Sequence, residues 1–369
     1  MEKSTQKKIL LLCATSKMVL SFRTDLIKKF QKEGYQVGVC AFDDDFKKQI
    51  EDLGVVFYCT SDNNRSINPF KILSLKSKYV KIIKDFNPEV VFTFMLKPNV
   101  FGPLACKSLG VKKVYSMVEG AGDTFVKKGI IWSFIRAFVC SLYKKAFKIS
   151  NEVFFLNEDD KAEFIQRKLV KEEKANIIGG IGVNLEKFSF TPIKNYNNFI
   201  MVSRLIESKG VIEFCKCARE VKKIYPSVNF SLLGGEGNLT KEDIKDFIDD
   251  NSVNYLGETN SVVSYLQDAS VFILPSRYRE GLPMSIMEAE SVGRAIITTD
   301  NVGCRDAIKE GFNGFLVPVN DICAIKEKCV YFIENPDKVE EMGKNSRQFA
   351  EQNFDQIKIN QKLFDVING

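Results

Sequence analysis

Two glutamates and two cations follow predicted strands in the second half of the chain. Glu280 lies in a polar turn after the apolar run 271–274, and Glu288 lies eight residues later on a predicted helix. Arg204 and Lys209 follow another apolar run. Because open parallel sheets bind ligands at the carboxyl ends of their strands, these four side chains are candidates for one site. Carboxylates accept hydrogen bonds from sugar hydroxyls, whereas guanidinium and ammonium groups suit a diphosphate.

The turn between the two glutamates suits a polyhydroxylated, anionic ligand. Gly281 lets the backbone come close to a ligand, and Pro283 fits the first helical turn because its missing N–H would have no helical partner. The helix start presents amide N–H groups at a positive dipole end. An acidic residue before Gly-x-Pro is, by itself, equally consistent with an ordinary helix N-terminus.

Two sequence motifs together indicate a protein family more specifically than either motif alone. The segment 203–210 reads S-R-L-I-E-S-K-G, and it is followed by E-G-L-P and the second glutamate. This pattern resembles glycosyltransferase family 4, a large family of retaining enzymes with the glycosyltransferase B architecture. The resemblance implies that Arg204 and Lys209 neutralise the diphosphate of a UDP-sugar and that Glu288 binds its ribose hydroxyls.

Further donor contacts are implied by the same resemblance. Glu280, with the amides of Gly281 and Leu282 beside Pro283, is expected to hold the sugar hydroxyls. Gly234 opens a G-G-E-G cluster that either contacts phosphate or simply makes a tight turn. Residues 256–260, which include Gly257, are expected to hold the base through backbone groups.

Four charged residues follow predicted strands in the first half. The resemblance places Arg23 in an acceptor cleft, where it would meet an acceptor phosphate; the alternative is a solvated helix arginine. Lys97 follows the fourth strand, and Glu119 and Asp123 follow the fifth. Many relatives carry histidine where this chain has Glu119, so the group that receives the acceptor proton stays open between Glu119, Asp123 and the leaving phosphate. A structural loop role is the alternative for both carboxylates.

Composition excludes several classes of function. The 369 residues include no histidine, which excludes a histidine triad, a histidine base and a histidine-ligated metal. A net charge of +6, without basic stretches interleaved with aromatics, does not indicate nucleic-acid binding. Ten scattered cysteines indicate a reduced, intracellular protein, and no secretory leader or membrane-spanning run is apparent. Neither a metal nor a cofactor is expected, since the UDP-sugar is a substrate.

Strands and helices alternate along the whole chain, which predicts an α/β protein of two facing Rossmann-like, doubly wound domains. The first strand loop lacks the glycine-rich dinucleotide fingerprint, so no nucleotide is assigned there. We predict one domain over 1–190 and a second over 191–353. The family resemblance implies that the first binds the acceptor, that the second binds the donor and that a C-terminal helix 354–369 packs back on the first. Apolar runs predict strands at 8–14, 35–42, 55–59, 90–94, 114–117, 153–156, 199–203, 228–233, 253–256, 271–274, 295–298 and 314–317.

Two basic, aromatic helices are predicted to form a membrane-docking face. Residues 127–148 place isoleucine and phenylalanine at helical spacing among lysines and arginines, and residues 68–86 repeat the mixture. The alternative is a helix packed under the sheet.

Within the family, the chain resembles bacterial enzymes that extend undecaprenyl-diphosphate-linked sugars. The shared segments are F-R at 22–23, S-x-N-P-F at 66–70, V-E-G-x-G at 118–122 and S-L-Y-K at 141–144. The expected function is therefore transfer of a hexose or N-acetylhexosamine from a UDP-sugar to a polyprenyl-diphosphate-linked saccharide, on the cytoplasmic membrane face, for surface polysaccharide or glycan assembly. A non-catalytic donor-binding subunit and a UDP-sugar epimerase are the alternatives.

Overall fold

The computed structural model describes residues 6–61, 69–126, 129–259 and 261–369, with the side chains of 69–73, 123 and 124 left out. The chain divides into two compact units. The first comprises residues 1–181 and 357–369, and the second comprises 182–356. Both units are parallel α/β layers, as the alternation of apolar runs predicted.

A seven-stranded parallel sheet in the order β3-β2-β1-β4-β5-β6-β7 forms the centre of the first unit. Its elements are β1 (Lys8–Leu12), α1 (Ser16–Phe22), α2 (Thr24–Lys32), β2 (Gln36–Ala41), α3 (Lys47–Glu51), β3 (Val56–Cys59), α4 (Pro69–Phe86), β4 (Val90–Phe94), α5 (Leu96–Leu109), β5 (Lys113–Val118), α6 (Asp123–Val126), α7 (Ile130–Phe147), β6 (Glu152–Phe155), α8 (Glu158–Gln166) and β7 (Ala175–Ile177).

The second unit contains a six-stranded sheet in the order β10-β9-β8-β11-β12-β13, again parallel. Its elements are β8 (Asn198–Val202), α9 (Val211–Lys222), β9 (Asn229–Leu233), α10 (Lys245–Asp249), β10 (Asn254–Gly257), α11 (Val263–Asp268), β11 (Val271–Leu274), α12 (Met284–Ser291), β12 (Ala295–Thr299), β13 (Gly314–Val317), α13 (Ile322–Glu334) and α14 (Pro336–Asn353), followed by α15 (Gln356–Asn368). A short 3-10 helix, Glu207–Lys209, precedes α9.

Each sheet has one point where the direction of strand addition reverses. In the first unit it lies between β1 and β4, and in the second it lies between β8 and β11. Residues 9–12 of the central strand β1 are fully buried, which explains why they are all apolar. Loops that leave the carboxyl ends of two such neighbouring strands diverge, and the crevice between them is where open α/β sheets bind ligands.

The boundary between the units lies earlier than predicted. Residues 182–190 belong to the second unit and not to the first. Val183 pairs with Asp355, and Arg347 donates hydrogen bonds to the carbonyls of Leu185 and Phe188, so α14 holds this segment. For the same reason residues 354–356, which were predicted to belong to the C-terminal helix on the first domain, are part of the second unit.

The helix α15 packs against the first unit. Its Ile359, Leu363 and Ile367 are buried, and its Phe364 ring lies 5.6 Å from that of Phe30. The Tyr35 hydroxyl donates to the Asn368 side-chain carbonyl at 2.6 Å. Buried apolar area and polar contacts at the helix end together fix its position.

The two helices predicted to dock on a membrane differ from each other. In α4 the described apolar residues Leu75, Tyr79, Ile83 and Phe86 are buried in the core, which is the alternative that the sequence left open. Residues 66–68 and 127–128, which belong to those sequence patterns, lie outside the described residues.

Helix α7 keeps a large apolar face in solvent. Its last turns are in the core through Tyr143 and Phe147, whereas its earlier turns expose Ile130 (80%), Ile131 (74%), Phe134 (73%) and Phe138 (57%). Among the helices of the described chain, none combines the length and the apolar character needed to span a membrane.

Candidate functional site

Lys209 and Glu280 meet at the reversal point of the second sheet. The Lys209 Nζ donates to Glu280 Oε1 at 2.5 Å, and the Ser276 hydroxyl donates to the same oxygen at 2.9 Å. The glutamate is buried, whereas the lysine side chain keeps a quarter of its surface in solvent. The pair therefore presents a partly exposed ammonium group whose position is fixed by a buried carboxylate.

The loops after β8 and β11 are joined by backbone contacts. The Ser208 carbonyl accepts hydrogen bonds from the amides of Arg277 and Tyr278, at 2.9 and 3.0 Å. Gly210 approaches the Pro275 carbonyl so closely that a Cβ there would overlap it. These contacts hold Lys209, on the first loop, against Glu280, on the second.

Arg277 reinforces the same junction with its side chain. Its guanidinium donates to Glu207 at 2.6 Å and to Glu213 at 2.9 Å, so it ties the β11 loop to the β8 loop and to the first turn of α9. A planar fork that reaches two carboxylates restricts both loops more than a lysine in its place would.

The loop after β12 packs against the backbone of Glu280. Gly303 has φ +78°, and a Cβ at that position would lie 2.6 Å from the Glu280 carbonyl oxygen. The neighbouring Cys304 is fully buried, and burial together with the charge of Glu280 raises the pKa of its thiol to about 12. This thiol is therefore a packing group and does not act as a nucleophile.

Arg204 lies on the same β8 loop as Lys209 but is exposed. Within the described part of the chain no carboxylate lies close enough to Arg204 for an ion pair. Its charge is available to a ligand, in contrast to Arg277, which is engaged by Glu207 and Glu213.

Glu288 lies on α12, and no contact joins it to the Lys209–Glu280 pair within the described residues. Burial raises the pKa of its carboxyl to about 7, and the positive charge of Lys187 opposes that rise. Helix α12 begins at Met284, with Pro283 as the extended N-cap residue, one position earlier than the first-turn placement that we predicted. Leu282 is buried and Gly281 is half-buried beside Glu280.

The two predicted glycines lie together at the ends of β9 and β10. The Gly234 amide donates to the Gly257 carbonyl at 2.8 Å. A Cβ on Gly234 would overlap the Ser203 carbonyl, so this glycine is needed for the close approach of the β9 and β8 loops. Gly257 has φ +71° with open space around its Cα, which leaves room for a ligand against the backbone.

Arg23 and Glu119 form an ion pair in the first unit, at the ends of α1 and β5. The Arg23 guanidinium also lies 4.1 Å from the centre of the Phe94 ring, and Arg23 is 4% exposed. The alternative of a solvated helix arginine is therefore wrong. Burial lowers the pKa of Arg23 to about 10, while the nearby Cys13 thiol opposes the change.

Only one oxygen of the Glu119 carboxylate takes part in this ion pair. Its Oε1 accepts from Arg23, whereas its buried Oε2 accepts no hydrogen bond from any described residue. A buried acceptor without a donor is costly, so Oε2 is a natural position for a ligand hydroxyl.

Of the remaining predicted acceptor residues, Lys97 has a described side chain, and no described hydrogen bond or ion pair joins it to Arg23 or Glu119. Lys97 is buried in the first turn of α5, with its Nζ 5.7 Å from the centre of the Phe42 ring. Asp123 begins α6, and its side chain lies outside the described residues. Over the described ranges, no three histidine, cysteine, aspartate or glutamate residues form a group suited to a metal ion.

Sequence reasoning missed the residues that position the site. Ser276, Arg277 and Gly303 bond or pack around the Lys209–Glu280 pair. The partners of Arg277 and Gly303 are distant in sequence, whereas Ser276 lies four residues before Glu280. The polar run S-R-Y-R, which directly follows the buried strand 271–274, was the available signal for the first two.

Sequence comparisons match both halves of the chain to glycosyltransferase models. Residues 183–349 match "Glycosyl transferases group 1", and residues 8–155 match "Glycosyl transferase 4-like". The N,N'-diacetylbacillosaminyl-diphospho-undecaprenol alpha-1,3-N-acetylgalactosaminyltransferase of Campylobacter jejuni is 31% identical over 368 residues, which cover 95% of this chain and 96% of that one. The UDP-Gal:alpha-D-GlcNAc-diphosphoundecaprenol alpha-1,3-galactosyltransferase of Escherichia coli is 27% identical, over 82% of this chain and 81% of that one.

Solved structures match the fold over nearly the whole chain. A glycosyltransferase from Rickettsia africae superposes with a TM-score of 0.80 at 18% identity, covering 98% of each chain. Anabaena HepE in complex with UDP superposes with a TM-score of 0.78 at 19% identity, covering 98% of this chain and 99% of that one. The identity to the Campylobacter enzyme over almost its full length, together with these folds, establishes the family. The chain therefore belongs to glycosyltransferase family 4, and it is a glycosyltransferase with the glycosyltransferase B fold.

Proposed function

We propose that this glycosyltransferase moves a hexose or N-acetylhexosamine from a UDP-sugar to a polyprenyl-diphosphate-linked saccharide, with retention of anomeric configuration. The observation that carries the proposal is the Lys209–Glu280 pair at the reversal point of the second sheet, with Arg204 exposed on the same loop. The printed names of the Campylobacter and Escherichia relatives, which act on diphospho-undecaprenol-linked substrates, support this acceptor class.

The chemistry follows from where charge develops. As the glycosidic bond breaks, negative charge moves onto the leaving diphosphate and the sugar becomes oxocarbenium-like. Lys209 keeps two of its three N–H donors beyond the one given to Glu280, and Arg204 adds a guanidinium, so both stabilise the departing diphosphate. Glu280 would orient the sugar hydroxyls and Glu288 the ribose hydroxyls. These two cations supply the neutralising charge, so the proposed reaction requires no metal.

In this proposal, the acceptor proton has two possible destinations, the leaving phosphate and Glu119. The buried Glu119 Oε2, which has no donor among the described residues, supports a role in accepting a hydrogen bond from a sugar hydroxyl. Arg23 would hold the Glu119 carboxylate in place through its Oε1. Lys97 and Asp123 remain proposed acceptor-binding residues.

In this proposal the reaction takes place at the cytoplasmic face of a membrane, where the acceptor's lipid is anchored, and α7 is the proposed contact. Its exposed isoleucine and phenylalanine side chains are followed by the exposed Lys144, Lys145 and Lys148. An apolar stripe beside cations is the pattern of helices that lie in a membrane interface. In α4 the apolar Leu75, Tyr79, Ile83 and Phe86 are buried, so among the described side chains of that helix the exposed Lys81 and Lys84 would contribute to the contact.

Transfer assays on two variants test the diphosphate assignment. We expect Lys209→Ala and Arg204→Ala each to lower kcat by about a hundredfold or more, because each removes a cation that acts mainly on the developing charge. The measurement is transfer from a panel of UDP-sugars to a lipid-linked saccharide, with folding checked by circular dichroism.

Lys245→Ala is the matched control, since Lys245 is an exposed lysine of the same unit that pairs with Asp249. Unchanged turnover in both site variants would reject the assignment. Donor binding without transfer by the unmodified chain would favour a non-catalytic subunit, and donor interconversion without acceptor would favour an epimerase.

Vesicle sedimentation tests the proposed membrane contact. We expect Ile131→Ser to lower the partition coefficient about tenfold, because burying an isoleucine side chain contributes about 1.5 kcal/mol or more. Ile357→Ser is the control, since Ile357 is equally exposed (73%, against 74% for Ile131) but lies on α15. Equal binding by the two variants would leave α7 without a membrane role.

A further inference from the structure

A groove of about 390 Å³ lies beside the exposed apolar face of α7. It is lined by Ser133, Arg136, Ala137, Cys140 and Arg167. Four of these residues recur at helical spacing along α7, and Arg167 follows the end of α8. None of them belongs to the donor site or to the Arg23–Glu119 pair, so the groove is a separate feature of the first unit.

Two guanidinium groups face this groove with incomplete neutralisation. Arg136 donates to the Phe125 carbonyl at 3.1 Å, and no described carboxylate lies within ion-pair distance of it. Arg167 pairs with Glu163 at 2.8 Å and lies 5.5 Å from the centre of the Phe125 ring. The groove therefore carries a net charge of about +1 from these three groups.

Both arginines line the groove together with Cys140, so an anion bound in the groove would lie beside both of them. Burial raises the pKa of the Cys140 thiol, the positive charges of Arg167 and Arg136 oppose this rise, and the carboxylate of Glu163 adds to it.

The exposed stripe of α7, defined as Ile130, Ile131, Phe134 and Phe138, lies on the face of the helix next to the groove. If the stripe enters the acyl layer, the groove lies at the level of the lipid phosphates, because α7 would lie along the interface. Guanidinium groups bind phosphate through paired N–H donors more specifically than lysines do. We propose that the Arg136–Arg167 groove binds the phosphate of an anionic membrane phospholipid. The inference rests on the proposed membrane contact of α7.

Vesicles of two compositions test the groove. One contains phosphatidylcholine alone, and the other has part of it replaced by phosphatidylglycerol. We expect the full chain to prefer the anionic vesicles. The double variant Arg136→Gln with Arg167→Gln should reduce that preference by about fivefold for each arginine, because this is the effect of one cation near an anionic surface. Binding to phosphatidylcholine alone should stay unchanged, whereas Ile131→Ser lowers binding to both compositions. The failure of the groove and the failure of membrane docking are thus distinguishable.

Two further variants make the result specific. Lys144→Gln with Lys145→Gln removes the same charge from exposed positions on the same helix, and we expect it to have a smaller effect. Ala137→Glu places a carboxylate in the groove at an exposed position and should abolish the preference even if the arginine variants are destabilised. Thermal unfolding and UDP-sugar binding report on folding.

Three outcomes would overturn the proposal. The first is a full chain that shows no preference for phosphatidylglycerol. The second is a lysine pair whose removal matters as much as that of the arginine pair, because general attraction would then explain the binding. The third is that adding a polyprenyl diphosphate to phosphatidylcholine vesicles tightens binding whereas adding phosphatidylglycerol does not. The groove would then be an acceptor site.

Discussion

Single residues in the proposed donor site differ most in how their charge is balanced. Lys209 is held by the buried Glu280, Arg204 is exposed, and Glu288 is a carboxyl whose ionisation is suppressed by burial. In this proposal a ligand would meet an ammonium group held in place by Glu280, an exposed guanidinium and a carboxyl near its titration midpoint at neutral pH. The proposed ribose contact of Glu288 is the one that depends on protonation.

The pH dependence of nucleotide binding tests that contact. Burial raises the pKa of Glu288 from 4.5 to about 7, so the folded state loses stability from this group as the pH rises between those values. Ribose hydroxyls would favour the ionised form, so binding would release a proton below pH 7. We expect UDP affinity to fall by up to about tenfold for each pH unit below 7.

Isothermal titration calorimetry in two buffers of different ionisation enthalpy measures this proton release. Glu288→Gln should bind UDP more weakly and should show a much flatter pH profile. An undiminished pH dependence in Glu288→Gln would assign the titration to another group and remove the argument for the ribose contact.

The residue types of the proposed donor site are visible in the sequence, whereas their pairings are not. Arg204, Lys209 and Glu280 follow apolar runs and Glu288 lies on the next predicted helix, and both of these signals are local. The ion pair of Arg23 with Glu119 joins residues 96 positions apart, and one sequence contains no sign of such a distance. Burial of Arg23 against Phe94 was missed for the same reason.

At the scale of elements, three loops that follow β8, β11 and β12 act as one support for Lys209 and Glu280. The Ser208 carbonyl, the Arg277 guanidinium and Gly303 each join two of them. The site is therefore sensitive to changes that touch neither cation.

Gly303→Ala tests this support. A Cβ there would press on the Glu280 backbone, and φ +78° disfavours alanine, so we expect a loss of about 1–3 kcal/mol in the free energy of unfolding. UDP affinity should fall as well, because Glu280 and Lys209 would shift together. Urea unfolding and calorimetry measure the two effects.

Gly311→Ala is the matched control, since Gly311 has φ +71° but has nothing within 4 Å of its Cβ position. It should cost stability through its backbone alone, with UDP affinity unchanged. If both variants bind UDP equally well, Gly303 does not support the site.

Elements with a strong periodic pattern were predicted well, and the exceptions have physical causes. The strand 90–94 was predicted with its observed bounds, whereas β7 was missed because its three residues, Ala175–Ile177, are too few to show a pattern. The apolar faces of α4 and α7 look alike in sequence, yet α4 is in the core and α7 is largely exposed. Periodicity identifies an apolar face but not what covers it.

At the scale of the whole molecule, the first unit is completed by residues from the other end of the chain. Besides its contacts with Phe30 and Tyr35, α15 accepts a hydrogen bond from the Tyr115 hydroxyl at the Ile367 carbonyl, and its Lys362 donates to the Ile177 carbonyl. Sequence analysis predicted a returning helix from the family resemblance; its amphipathic pattern alone does not say which unit it joins.

Truncation after residue 355 tests the contribution of α15. The buried Ile359, Leu363 and Ile367 contribute about 5 kcal/mol together, which is comparable to the net stability of a small domain. We expect the first unit to melt at a lower temperature while the second unit is unchanged, as shown by limited proteolysis with mass spectrometry.

A synthetic peptide of residues 356–369 should restore the first unit when added to the truncated chain. Uniform destabilisation of both units, or no change in either, would contradict the assignment of α15 to the first unit.

The return of α15 also sets an order of events during synthesis. On the ribosome, Phe30 and Tyr35 emerge long before Phe364, the ring against which they pack. Domains usually mature in the order in which they are translated. Here the second unit, whose residues are contiguous, is able to finish first, and the first unit closes its core only after α15 has been made.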